Sequence, residues 1–404
     1  MNAKLVVFFA ILMFLLPATA QEQNLTEGCI TDYNANVDYF PEKVEILDAE
    51  RFAVAYHNHY KVVSVSDAYD GAPGFDYVLV QCGAPAPPAS DFADGAQFIE
   101  VPAGDIIALS TTQLPALAQL DLLRHLAGVD SAFYISTVEV VDAVADGQIA
   151  EVGFGAQINI ELVLELEPEL VMSYGFNPAT DAHPVLLDAG VFTALDASWR
   201  ELSPLGRAEW LKFTALFYNR EAAATEIYDN IASEYDNARQ IAASVSEADR
   251  PNALINSFLG YADAWFIPGQ ETYVGRLIRD AGGELLLAEA GSTASQGLSF
   301  EAVYEGGLGA DVWLVETFGV SSQAELLALD SRFGDFAAFQ AGDVWNNNAD
   351  ENANGGNNYY EWGVTNPHLV LRDLVAIFHP DLLPEREFVF YQRLASEQHV
   401  ATGS

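Results

Sequence analysis

The sequence predicts an α/β protein. Two parallel-sheet lobes are joined by a long rigid interlobe helix and preceded by a β-rich N-terminal extension. From Asp105 onward, short buried-strand runs alternate with helical patterns, the rhythm of layered parallel strand–helix–strand units. The longest helical pattern, Glu221 to about Val245, holds neither Gly nor Pro and falls in the middle of the chain. Strand–helix–strand units then recur from Pro251. The chain's 404 residues, 50% of them hydrophobic, supply apolar material for more than one core.

Before Asp105 the elements read as strands. Phe52-Ala53-Val54-Ala55-Tyr56, Lys61-Val62-Val63-Ser64-Val65 and Tyr77-Val78-Leu79-Val80 are β-branched or aromatic runs, set apart by turn residues such as Asp70-Gly71-Ala72-Pro73-Gly74. Ile106-Ile107-Ala108-Leu109 is a buried-strand run, and Leu114 to Leu126 has helical spacing that is expected to stop at Gly128. Ile158 to Leu166 reads as a short amphipathic helix broken by Pro168, ahead of a strand at Leu170-Val171-Met172. Arg207 to Tyr218 is helical, with Pro204 near its first turn. In the long helix, Ile227, Ile231, Tyr235 and Ala238 share a face, and its length is about 37 Å at 1.5 Å per residue. Ala253-Leu254-Ile255 opens the second set as a strand, Thr272 to Ala281 is a helix stopped by Gly282-Gly283, and Ala310 to Val315 is another strand. Asn346 to Asn358 is a polar loop and His368 to Phe378 a last helix. These boundaries divide the chain into residues 1–20 (leader), 21–103 (β-rich extension), 104–220 (first lobe), 221–247 (interlobe helix) and 248–404 (second lobe).

The first twenty residues read as a secretory leader. Lys4 gives a positive start, Leu5 to Leu16 are apolar, and Ala18-Thr19-Ala20 is a cleavage site after Ala20. The mature chain is expected to be exported to a periplasm. No lipid anchor is recognised, because Cys29 in Thr26-Glu27-Gly28-Cys29 lacks a lipoprotein context. The charge is strongly acidic, with 58 Asp+Glu against 17 Lys+Arg and a formal net charge of −41. That excludes nucleic acid as a natural partner, since phosphate backbones are held by clustered Lys and Arg. With 24 Phe, 17 Tyr and 6 Trp the chain is also no disordered acidic tail. The surplus of carboxylates over a mere four lysines (Lys4, Lys43, Lys61, Lys212) suits a salty medium, or an ordinary acidic exported protein.

Cys29 and Cys82 are expected to pair in an exported chain, with two buried free thiols as the alternative. Catalytic signatures are missing: there is no G-x-x-x-x-G-K-[ST], H-E-x-x-H or G-x-S-x-G. His57 and His59 would share one face of a strand, but a metal there needs further ligands. Asn24-Leu25-Thr26 matches a glycosylation acceptor.

Several stretches carry a resemblance. They are Ile106-Ile107-Ala108-Leu109-Ser110-Thr111-Thr112, Ile149-Ala150-Glu151-Val152-Gly153, and Asn159 through Val171 with Glu165-Leu166-Glu167-Pro168 at its centre. Beyond the long helix come Tyr273 to Gly283, Leu298-Ser299-Phe300-Glu301-Ala302-Val303 and Ala310 to Val315. Over about residues 104 to 390 the chain resembles the substrate-binding proteins of ABC importers for cobalamin and ferric siderophores, with two Rossmann-like lobes on a rigid helical backbone. The resemblance implies a non-enzymatic, monomeric binder with no cofactor of its own. It would capture a metal chelate or corrinoid, the metal entering only as part of the chelate, and deliver it to ABC permease transmembrane subunits. Glu161 and Glu301 stand where the family carries permease-docking glutamates. A stand-alone ligand-sensing receptor is the main rival, and a secreted hydrolase a weaker one.

The ligand is then expected between the lobes. Tyr134, Phe154, Tyr174 and Trp199 follow strands that would line one wall; Trp265 and Phe266 would line the other, with Trp362 beside the Asn-rich loop. Large rigid aromatics suit macrocycles and catecholates. No arginine triad is conspicuous, although Arg200 could reach the cleft, so a neutral or cationic complex is favoured over a trianionic one.

Overall fold

The structure is a computed structural model and describes residues 21–396. The proposed leader and its cleavage site after Ala20 lie outside the described residues, as do residues 397–404.

Alternation of side chains builds the first sheet. In β2 (Tyr60–Val65), Lys61, Val63 and Val65 turn inward while their neighbours stay half-buried. With β1 (Phe52–Tyr56), β3 (Phe75–Gln81) and β4 (Gln97–Val101) it forms a sheet of order β1-β2-β3-β4, antiparallel except for the parallel β3–β4 pair. A Cys29–Cys82 disulfide ties the leading segment to the residue after β3, and Ile30 donates its N–H to the Cys82 carbonyl at 3.0 Å. His57 and His59 do not share a strand face. The hairpin turns there, and the His57 ring stacks on Tyr60 at 4.2 Å. The Asn24 acceptor site is also corrected: Asn24 is 6% exposed, and its side-chain amide donates to Glu42 O and Glu221 Oε2.

The first lobe is a parallel sheet of order β7-β6-β5-β8-β9, made of β5 (Ile106–Ala108), β6 (Leu126–Val129), β7 (Ala150–Glu151), β8 (Leu170–Tyr174) and β9 (Thr193–Asp196). Its helices are α1 (Leu114–Gln119), α2 (Val138–Ala145), α3 (Ile160–Leu166) and α4 (His183–Asp188). The helix expected over Leu114 to Leu126 is shorter: Asp121 takes a left-handed φ of 58° and ends it. Leu126 and Val129 are then buried in a strand, so Gly128 is a strand residue and not a helix stop. Strand β9 is an edge, and the first sheet covers it. Gln97 exchanges hydrogen bonds with the Thr193 backbone at 2.8 and 3.0 Å, and the Tyr77 hydroxyl accepts the Leu195 N–H at 2.8 Å. Phe40 and Tyr77 share one core with Phe213 and Phe217.

Two helices follow, α5 (Pro204–Leu216), capped by Ser203, and α6 (Glu221–Ala242). Buried carboxylates on them clasp the preceding chain. Glu209 accepts the N–H groups of Leu47, Asp48 and Ala49 and pairs with Lys212 at 2.6 Å, while Glu221 pairs with the fully buried Lys61. Along α6, Tyr228 and Ile231 enter the first lobe's core, and Tyr235 and Ala238 enter the second's. One continuous helix therefore belongs to both lobes.

The second lobe has β10 (Asn252–Ile255), the small antiparallel set β11 (Phe258–Leu259), β12 (Ala264–Ile267) and β14 (Gln296–Leu298), and the main strands β13 (Glu284–Leu285), β15 (Val312–Leu314), β16 (Val344–Asn346) and β17 (Gln392–Arg393). The main sheet runs β13-β10-β15-β16-β17, parallel except for β17. Its helices are α7 (Tyr273–Asp280), α8 (Phe300–Gly307), α9 (Gln323–Leu329), α10 (Ala337–Ala341), α11 (Asn358–Thr365) and α12 (Pro367–Phe378), the last packed on α6. No described helix is long and apolar enough to cross a membrane.

Candidate functional site

Parallel strands deliver their following loops to one edge of each sheet, and these edges face each other. Three cavities mark the seam. The first, of 250 Å³, lies on the first lobe at the ends of β5, β8 and β9, walled by Thr112, Tyr174, Phe176, Asp196 and Trp199. The second, of 480 Å³, lies between Arg51, Trp199, Arg200 and Arg207 on one side and Thr272 and Tyr273 on the other. The third, of 350 Å³, sets Thr111 and Tyr134 against Glu316, Phe318, Asn347 and Tyr360. Trp199 is common to the first two, and the neighbours Thr111 and Thr112 bring the third beside the first. The result is one trough with a basic end and an acidic end.

Local structure explains how the side chains reach it. Ser110 caps the turn after β5, and its hydroxyl lies 2.9 Å from that of Thr112. Asp196 accepts the Ser198 N–H at 2.7 Å and closes the turn after β9; burial raises its carboxyl pKa. That turn presents Trp199, 37% exposed, with its indole N–H on the Gly175 carbonyl at 3.1 Å and Phe176 at 5.8 Å. Burial likewise raises the Tyr174 hydroxyl, with Asp130 and Asp181 adding to it. At the acidic end Glu316 follows β15 with a left-handed φ of 41°, and its Oε1 is buried without a hydrogen-bond partner. Burial pushes its carboxyl up to about 7.

The lobes are strapped beside this end. Trp362 donates its indole N–H to Thr137 Oγ1 at 3.1 Å, and Asn352 Nδ2 donates to the Ile135 carbonyl at 3.0 Å. Gly356 lies so close to Tyr134 that a Cβ there would fall 2.4 Å from the tyrosine carbonyl oxygen.

The structure thus brings Tyr134, Tyr174, Trp199 and Arg200 to the trough. Trp362 sits at the lobe joint. Phe154 and Phe266 are exposed but are not among the residues walling the three cavities. Trp265 is a correction: it is fully buried, 5.8 Å from Trp313, with its N–H on the Ile255 carbonyl at 2.7 Å. The sequence reading missed Arg51, Arg207, Tyr273, Glu316 and Tyr360. The absence of an arginine triad is corrected as well, since Arg51, Arg200 and Arg207 meet on one cavity.

Glu161 and Glu301 lie elsewhere, on the surface. Each is the second residue of its helix, behind an Asn159 or Ser299 cap that accepts the N–H of Leu162 or Ala302. Glu301 is 3.9 Å from Arg332.

The family model of the periplasmic binding proteins matches residues 106–349. An uncharacterized lipoprotein of Methanocaldococcus jannaschii is 23% identical over 401 residues, spanning 94% of this chain and 89% of that protein. A second lipoprotein of that organism is 24% identical over 318 residues, 76% of this chain and 77% of its own length. Among solved structures, a periplasmic binding protein of Veillonella parvula aligns with a TM-score of 0.54 at 14% identity, covering 79% of this chain and 98% of its own. A molybdate-binding periplasmic protein of a Haemophilus influenzae ABC transporter, solved with molybdate, gives 0.51 at 16% identity, with 71% and 89% covered. At these identities the solved structures bear on fold alone.

Proposed function

We infer the function from one premise: the chain belongs to the periplasmic binding protein family. It is an exported ABC-importer subunit that captures a ferric siderophore, a corrinoid or a similar metal chelate between its lobes and hands it to a permease. The observation that supports this reading best is the trough itself. It runs between two sheet edges, carries Trp199 and Tyr174 as rigid apolar surface, and has polar groups at both ends. The chain binds and releases its ligand without covalent chemistry. Because α6 is built into both cores, closure is modest and the lobes rock rather than hinge widely.

The test is tryptophan fluorescence of the mature protein in high salt, titrated with cobalamin, haem and chemically distinct ferric siderophores. Submicromolar quenching by one class, lost in Trp199→Ala, is the expected result. Silence across the panel would overturn the chelate reading and turn attention to a sensory receptor on the same fold.

A further inference from the structure

Glu316 walls the acidic cavity of 350 Å³ with no partner for its charge. Asn346 on β16 explains its setting. Asn346 Oδ1 accepts the Thr317 N–H at 3.0 Å, and Nδ2 donates to the carbonyls of Thr317 and Val320 at 2.6 and 2.8 Å. These bonds fix the turn after β15, in which Glu316 takes its left-handed φ. Glu316 Oε1 is buried without a hydrogen bond, and among the described residues the carboxylate forms no ion pair with Lys, Arg or His. The titratable groups around it are the hydroxyls of Tyr273, Tyr359, Tyr360 and Tyr391 and the carboxylate of Glu351, none of them a cation.

Aromatic surface walls the rest of the cavity. Tyr134 comes from the first lobe, Phe318 from the turn after β15 and Tyr360 from α11, and they are 58%, 67% and 49% exposed. The Asn-rich loop adds backbone. Gly355, with a φ of 91°, lies so close to Phe318 that a side chain there would run into the ring. The amides nearby are already engaged: Asn347 donates to the Tyr360 hydroxyl at 3.2 Å and accepts from Asn357 at 3.3 Å, and Asn348 donates to Glu351 at 3.3 Å. The cavity thus offers carboxylate oxygens and aromatic rings but no cationic donor. Ring faces attract a cation, and a part-buried carboxylate is costly until a cation completes it. An anionic group would be repelled, and a neutral one would leave Glu316 unpaired.

We propose that this cavity is an ammonium subsite, in which Glu316 pairs with a protonated amine of the ligand and Tyr134, Phe318 and Tyr360 supply its aromatic wall. The subsite rests on the binding-protein reading and narrows the ligand to a metal chelate that carries a primary-amine arm.

The test uses two probes that differ only in charge: a ferric linear trihydroxamate ending in a free primary amine, and the same complex with that amine acetylated. Butylammonium chloride serves as a metal-free probe, with NaCl at equal ionic strength as its control, because a chain of net charge −41 responds to any salt. The wild-type protein should bind the amine complex about 10-fold more tightly than the acetylated one. The isosteric Glu316→Gln should bring that ratio close to one. Phe318→Leu, at an exposed ring, should lower it and Phe318→Tyr preserve it, while Glu226→Gln, an exposed carboxylate on α6, should leave it as in wild type. Equal binding of the two complexes by wild type, or a preference that survives Glu316→Gln, overturns the subsite and leaves the chelate reading standing. A preference lost equally in Glu226→Gln overturns it as well, since the general acidic field would then be its source. If neither complex binds but butylammonium raises the melting temperature of wild type beyond NaCl, and does not do so for Glu316→Gln, the subsite holds and the chelate reading falls. No response to any probe overturns the subsite too.

Discussion

Glu361, on a second-lobe helix, holds the start of a first-lobe helix: Oε1 accepts the Thr137 N–H at 2.9 Å and Oε2 the Ser136 N–H at 2.7 Å. The Thr137 hydroxyl donates to the same carboxylate. Burial raises the Glu361 carboxyl pKa, and these donors only partly oppose that rise. The carboxylate is thus both an N-terminal partner for α2 and a strap between the lobes. Glu361→Ala leaves buried donors unpaired and should cost about 2–4 kcal/mol. A melting temperature lowered by several degrees, together with weaker ligand binding, is the expected result. An unchanged melt would show that the strap carries no load.

Two tryptophans that look alike in sequence should behave differently. Trp199 faces the trough, so Trp199→Ala should remove ligand quenching with only a small loss of stability. Trp265 lies inside a cluster with Trp313, Phe333 and Phe336, so Trp265→Ala should cost about 3–5 kcal/mol and lower the denaturant midpoint. Ligand quenching that persisted in Trp199→Ala and vanished in a folded Trp265→Ala would reverse these assignments.

Glu316 predicts a pH dependence. Its carboxyl is pushed from 4.5 up to about 7 by burial, so the folded protein favours the neutral form. Below the unfolded value both states are protonated and nothing is lost. As pH rises from about 4.5 to about 7 the unfolded chain releases its proton first, and stability falls by on the order of 3 kcal/mol before levelling. Glu316→Gln should therefore gain on wild type across that window, read as the difference between their melting temperatures from pH 5 to pH 8. A difference that stays constant with pH would refute the assignment.

What the sequence makes legible follows the range of the interactions. The strands around Phe52, Lys61 and Tyr77, and the long helix from Glu221, are set by local periodicity and stand where that periodicity puts them. The stretch Leu114 to Leu126 misleads because its leucines serve two elements. Those up to Leu120 pack a short helix, and Leu126 packs a strand, with the backbone turning at Asp121. Trp265 misleads because polar neighbours in sequence do not report the Trp313 and Phe333 that cover it in space. The arginine cluster is illegible for the same reason: Arg51 reaches Arg200 and Arg207 only because the extension packs on the first lobe.

The charge balance carries a solution prediction. At a formal charge of −41 the folded chain repels itself, and screening shortens that repulsion from about 10 Å at 0.1 M salt to about 3 Å at 1 M. The melting temperature should rise by several degrees from low to molar NaCl. A flat response would mark the protein as acidic without dependence on salt.

The matched placement of Glu161 and Glu301 yields the last prediction. Both occupy the second position of a capped helix, one on each lobe, where the helix dipole already favours a carboxylate. A purely local role predicts that either can be neutralised with a small loss of helix stability and no loss of transport. Docking on permease arginines predicts something different: the double variant Glu161→Arg, Glu301→Arg should abolish uptake in cells while purified protein binds ligand as before. Glu301 is partly engaged by Arg332 at 3.9 Å, an exposed contact that solvent screens, so a permease arginine can displace it. Glu161→Arg alone, which disturbs no such pair among the described residues, is then the cleaner single variant and should already reduce uptake. Uptake retained in the double variant, with binding intact, would remove both glutamates from the docking surface.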